Sequence, residues 1–154
     1  MKENIKKVKL LISDVDGVWT DGSIYIGNNH TQLPLEIKKF SVLDGVGVAM
    51  AKAANINIAL ISGRYSKATA VRAEELKIKE VYNGTLNKLP VYEDLKSKHK
   101  LKDNQIAYVG DDLIDLSVMK KVGFPIAVAN ANDKVKSLSV YTTKTFGGQG
   151  AFRE

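Results

Sequence analysis

Apolar positions along the chain fall into two alternating periods. Short runs rich in β-branched residues at 8–13, 56–61, 81–82, 106–109 and 126–128 read as buried strands. Helix-length stretches lie between or after them, at 44–54, 66–77, 88–98, 112–121 and 131–138. In the second of these, Ala68, Val71 and Leu76 recur among charged residues, an amphipathic pattern. Strand–helix alternation predicts a three-layer α/β fold: a Rossmann-like parallel sheet with helices on both faces and the ligand-binding edge at the strands' C-terminal ends. One segment departs from the alternation. Between Trp19 and Phe40, two apolar runs flank Gly27-Asn28-Asn29, which predicts a β-hairpin inserted after the first strand. Pro34 suits an edge or irregular position in the return strand.

A length of 154 residues fits a single domain spanning 1–154, and 44% hydrophobic residues can form a core. No cysteine is present, which excludes disulfides and thiolate metal sites and suits a cytoplasmic location. The charged start, Met1 to Lys9, lacks the apolar region and cleavage site of a signal peptide, and no run has the length needed to span a membrane. The net charge of +6 reads as a solvated basic surface or as attraction for an anionic small substrate. Lys96, Lys98, Lys100 and Lys102 have no interleaved aromatic residue to stack on bases, so no nucleic-acid partner is expected.

Four chemical features each follow a predicted strand. Asp14 and Asp16, separated by one residue on extended chain, point the same way. Asp14 can attack phosphorus, while Asp16 can protonate the leaving oxygen and then activate water. Gly17 allows the chain to turn away. Ser62, in Ser62-Gly63-Arg64, lies beside free amides at a helix start and can bind phosphate oxygens. Lys88, at another helix start, can offset charge on nucleophile and phosphate. Gly110-Asp111-Asp112 with Asp115 adds three carboxylates, Asp111 placed to hold a metal and Asp115 to support it. Taken singly, each is an ordinary turn, helix start or surface lysine. Together, so many carboxylates at one edge would repel one another without a cation, which implies Mg²⁺.

With these residues in place, the chain resembles haloacid dehalogenase superfamily phosphatases along nearly its whole length. Asp14-Val-Asp-Gly-Val18, Ser62, Lys88 and Gly110-Asp-Asp…Asp115 match the superfamily's four motifs. The resemblance implies an aspartyl-phosphate on Asp14 and a metal held by Asp14, the backbone carbonyl of Asp16, and Asp111. It narrows through residues 21–29, Asp44-Gly45-Val46-Gly47 and residues 147–154 to the 3-deoxy-D-manno-octulosonate 8-phosphate phosphatase family, which serves lipopolysaccharide precursor synthesis. Spacing supports a form without a cap domain, since 46 residues from Asp16 to Ser62 and 26 from Ser62 to Lys88 leave no room for one. The resemblance further implies a homotetramer in which hairpins assemble around an axis and a neighbour helps close the site. By the same resemblance Asp44, Gly45, Arg64, Arg72, Asp112 and Arg153, beside Lys88, contact the anionic sugar-acid phosphate or support its site, with Arg153 reaching a neighbouring site. Arg64 favours the eight-carbon substrate, because nonulosonate 9-phosphate phosphatases tend to carry Glu there. Leu43 and Ala49 stand where the family has basic residues, and the hairpin is a few residues longer. The alternatives are a nonulosonate 9-phosphate phosphatase and a non-catalytic assembly domain of the same fold. A receiver domain is disfavoured because Ser62 occupies the place of its phosphorylated Asp.

Overall fold

A computed structural model describes residues 5–28 and 30–154. Asn29 of the predicted hairpin turn and the first four residues of the charged start lie outside the described residues. The chain runs β1 (Leu10–Ser13), β2 (Tyr25–Asn28), β3 (Pro34–Ile37), α1 (Val42–Ala53), β4 (Asn57–Ser62), α2 (Lys67–Glu75), β5 (Glu80–Asn83), α3 (Lys88–Lys98), β6 (Ile106–Gly110), α4 (Leu116–Met119), β7 (Phe124–Ala127), α5 (Asp133–Leu138) and β8 (Tyr141–Thr142). Six strands form one parallel sheet in the order β5-β4-β1-β6-β7-β8. The expected α/β architecture is therefore present, and no cap domain is evident among the described residues.

Period-two alternation assigns the two faces of the central strands. Leu10, Ile12, Ile106 and Tyr108 are fully buried in the main core with Tyr92 and Leu95 of α3 and Val118 and Met119 of α4. On the other face, Leu11, Ala107, Val109 and Ile126 look toward Met50 and Ala51 of α1 and toward Phe152 of the tail, across an apolar cavity of about 480 Å³. The chain leaves β1 to build β4 and β5 on one side and then returns to build β6, β7 and β8 on the other. This reversal opens a crevice beyond the carboxyl ends of β1 and β6, where ligands bind in open α/β sheets.

The hairpin is present, but its turn differs from the expectation. Gly27 and Asn28 pair with Leu35 and Pro34 inside the two-stranded ladder, so the connection begins later and includes Gln32 at φ 62°. Pro34 is the first residue of the return strand, a position where strands tolerate proline. The stretch read as one helix at 112–121 is instead a 3-10 turn at Leu113–Asp115 followed by the single-turn α4. The cause is Asp112, whose side chain accepts from the Leu113 N–H at 2.8 Å and caps the tight turn.

Candidate active site

Asp14 is the first residue beyond β1, and its N–H is tied to the Val109 carbonyl of β6 at 2.9 Å. Further contacts fix the loop after it. Val18, Trp19 and Thr20 all donate backbone N–H bonds to the Val15 carbonyl. The buried Trp19 indole donates to Ser13 Oγ at 2.9 Å, and Ser13 Oγ donates to the Asp14 carbonyl at 2.6 Å. Trp19 also packs on Phe152 with ring centroids 4.3 Å apart, so the tail clamps the nucleophile loop. Gly147 is pressed so closely on Gly17 that a Cβ there would lie 1.7 Å from the Gly17 carbonyl oxygen.

Lys88, the first residue of α3, is fully buried and bridges two carboxylates: its Nζ lies 2.5 Å from Asp14 Oδ1 and 2.7 Å from Asp115 Oδ1. Asp115 has both oxygens engaged. Oδ1 also accepts from the Tyr108 hydroxyl at 2.6 Å, and Oδ2 accepts the Asp111 and Asp112 N–H groups at 3.0 and 3.3 Å. Asp111 differs, since its Oδ1 is buried and has no hydrogen-bond partner among the described residues. Glycines make this closeness possible. A Cβ on Gly17, at φ +98°, would stand 2.0 Å from Asp111 Oδ2, and one on Gly110 would stand 2.6 Å from Asp115 Oδ2.

Asp14, Asp111 and Asp115 each offer an oxygen within 4.8 Å of the others. One lysine offsets three acids, and the electrostatic consequence is plain. Burial, then the Asp115 charge, raises Asp14 to about 6 against the pull of Lys88. Burial, followed by the charges of Asp14 and Asp115, raises Asp111 to about 9. Burial and then the two carboxylates act on Lys88 in opposition, and the net result holds its ammonium above the ordinary lysine range. The unpartnered Asp111 oxygen and the excess of hard oxygen donors fit a divalent cation such as Mg²⁺.

Asp16 and Ser62 face one another at the rim: Ser62 Oγ lies 3.4 Å from Asp16 Oδ2 and donates to the Arg64 carbonyl at 2.8 Å. Asp16 Oδ1 is held by Lys38 Nζ at 2.6 Å. Arg64 is half-exposed and pairs through Nη1 with Glu36 Oε2 at 2.5 Å. Arg72 spans two helices, with Nη1 on Glu75 at 2.8 Å, Nη2 on the Ser41 carbonyl at 3.1 Å and the guanidinium against Gly45. Asp44 is buried at the start of α1, where its Oδ1 accepts the Arg153 N–H at 3.1 Å, so it anchors the tail while the Arg153 side chain stays exposed. Asp112 is exposed and engaged in its turn.

Several residues that build the site carry no local sequence signal. Lys38 and Glu36 arrive from the hairpin. Asn83, at the end of β5, accepts the Ser66 N–H at 3.0 Å and donates to its carbonyl at 2.7 Å, which fixes the loop after Ser62. Tyr108 looks like an ordinary core aromatic until its hydroxyl meets Asp115.

Residues 58–150 match the haloacid dehalogenase-like hydrolase family. The 3-deoxy-D-manno-octulosonate 8-phosphate phosphatase of Salmonella typhi is 45% identical over 97% of this chain and 77% of that one. The chain belongs to this phosphatase family. Among solved structures, the Moraxella catarrhalis enzyme in complex with magnesium, phosphate and KDO superposes with a TM-score of 0.90 at 37% identity, covering 98% of this chain and 84% of that one. The Yersinia pestis enzyme gives 0.92 at 40% identity, covering 98% and 80%. The fold described above is thus that of a haloacid dehalogenase-type hydrolase. Among the described residues, no helix is long and apolar enough to cross a membrane.

Proposed function

We propose that this protein hydrolyses 3-deoxy-D-manno-octulosonate 8-phosphate to the free sugar acid and phosphate, through an aspartyl-phosphate on Asp14. The observation that carries the chemistry is the buried Asp14–Lys88–Asp115 bridge beside the unpartnered Asp111 oxygen. The substrate class rests on the phosphatase relatives and on the magnesium, phosphate and KDO bound by one of them. Release of phosphate from this sugar phosphate tests the reading.

In this scheme Lys88 holds Asp14 by Oδ1, leaving Oδ2 to attack phosphorus as the ester P–O bond breaks. Asp16 gives its proton to the departing sugar oxygen. It then takes a proton from the water that attacks the phosphoryl group, which leaves as phosphate and regenerates Asp14. Ser62 Oγ and the amides after it receive phosphate oxygens. Asp14, the Asp16 carbonyl and Asp111 would hold Mg²⁺, which supplies charge stabilisation to the phosphoryl oxygens when bound. Asp115 keeps Lys88 and the 111–112 backbone in place from behind. Arg64 offers its remaining donors to the sugar carboxylate. Asp44, Gly45 and Arg72 support that side of the site through α1 and the tail, Asp112 stands exposed beside Asp111, and Arg153 of the tail reaches a neighbouring site. The cysteine-free sequence suits work in the cytoplasm, at lipopolysaccharide precursor synthesis.

We further propose a homotetramer assembled through the hairpins of a single-domain chain. Tyr25, Ile26, Leu35 and Ile37 of β2 and β3 are all exposed, with Ile26 at 75%, and a two-stranded ribbon gains stability by packing on others. Sedimentation equilibrium is expected to give four chains, and replacing Ile26 and Ile37 with Lys is expected to shift it to monomer. A monomer of full activity would dispose of closure by a neighbour.

A further inference from the structure

The chemistry above gives Lys38 no task, yet its side chain is wholly buried at the rim of the site. Its Nζ lies 2.6 Å from Asp16 Oδ1 and 3.4 Å from Thr69 Oγ1, and Thr69 sits in the first turn of α2. An ammonium taken out of water is costly unless a charge meets it, and the charge that does so here is the Asp16 carboxylate. Lys38 is not isolated on its strand. Glu36, two residues earlier, turns the same way and meets Arg64 Nη1 and the Ser66 hydroxyl, the N-cap of α2. The return strand of the hairpin therefore sets two opposite charges against the start of α2, and the second of them holds Asp16.

We infer that Lys38 is a positioning residue for Asp16. It grips Oδ1 and fixes the carboxylate's direction. Oδ2, which among the described residues has only the long 3.4 Å contact from Ser62, is left to exchange the proton with the leaving oxygen and then with water. The strand whose apolar residues stand ready for assembly thus also sets the acid–base group of its own subunit. This inference rests on the reading of Asp16 as the acid–base group.

The test is a double-mutant cycle on the full chain with Mg²⁺, comparing the unmodified protein, K38M, D16N and K38M/D16N. K38M is expected to lower kcat for an alkyl phosphate by about 10–100-fold, a part of the roughly 10²–10⁴-fold that a positioned acid–base group supplies, with KM little changed. In the D16N background the same change is expected to have almost no further effect. The first-turnover release of p-nitrophenol from its phosphate is expected to fall far less, because that leaving group departs without a proton. K38R is expected to lie between the unmodified protein and K38M. A raised KM with unchanged kcat would put Lys38 on the substrate instead. An equal loss with and without Asp16 would make Lys38 scaffold only. Should K38M not fold, the cycle is run with K38R, and an equal loss there overturns the inference in the same way. The ratios can be taken on β-glycerol phosphate or any alkyl phosphate the protein cleaves. Failure of the unmodified protein on the sugar-acid phosphate alone rejects the substrate, and the K38M ratios on β-glycerol phosphate then support or overturn the role of Lys38 by the same criteria.

Discussion

Asp14→Asn is expected to abolish turnover, with a fall in kcat of about 10⁴-fold or more, as for other enzymes stripped of their nucleophile. The amide keeps the shape of the side chain and an oxygen for Lys88 Nζ, so the bridge to Asp115 can persist. What is lost is the anionic oxygen that would bond to phosphorus. The same change removes one of the buried charges that repel Asp111, whose carboxyl is raised by burial and then by Asp14 and Asp115. Metal-free Asp14→Asn is therefore expected to melt at or above the temperature of the unmodified protein. Steady-state phosphate release and a thermal melt check both halves. Retained turnover would refute the nucleophile, and a collapse of the melt would show that the loss was structural.

Removing divalent metal is expected to stop the reaction completely, and Mg²⁺ to restore it. The protonation of the cluster gives this a second, independent readout. Asp14 and Asp111 are raised to about 6 and about 9, from an ordinary value of 3.8. The folded, metal-free protein therefore binds more protons than the unfolded chain through that window, and its stability falls as pH rises through 6 toward 9. Cation binding displaces a proton from Asp111, so stabilisation by Mg²⁺ should grow with pH. The opposite limb lies lower. Glu154 is drawn down to about 2, first by the Tyr141 hydroxyl and then by the Lys144 N–H, and the stability it contributes is lost as pH falls toward that value. Melts at pH 6 and pH 8.5, with EDTA or with Mg²⁺, should show a falling metal-free midpoint and a flatter loaded one. Equal midpoints in all four conditions, with turnover indifferent to EDTA, would take the cation out of the account.

Much of this was legible in the sequence because its strongest signals are local. The β-branched runs at 56–61 and 106–109 became β4 and β6 within a residue or so; Asp14 and Asp111 follow their strands directly and Ser62 ends its own. A parallel sheet then brings Asp14, Lys88, Asp111 and Asp115 to one crevice whatever the helices between them do. The misses are of another kind. β8 is two residues long and has no period to read. The hairpin turn was displaced because Gly27-Asn28 is good turn chemistry that the ladder nevertheless absorbs. The partnership of Lys38 with Asp16 spans 22 residues, and that of Glu36 with Arg64 spans 28, so neither leaves a mark on the local pattern. The hold of the Asp44 carboxylate on a tail 109 residues away is equally invisible in its own segment.

The most direct test of the central claim is phosphate release with Mg²⁺ from 3-deoxy-D-manno-octulosonate 8-phosphate beside a nine-carbon sugar-acid 9-phosphate. The expected result is a kcat/KM at least about tenfold higher for the eight-carbon substrate, the discrimination that one placed polar contact can give. Preference for the nine-carbon substrate, or turnover of small generic phosphates alone, would contradict it.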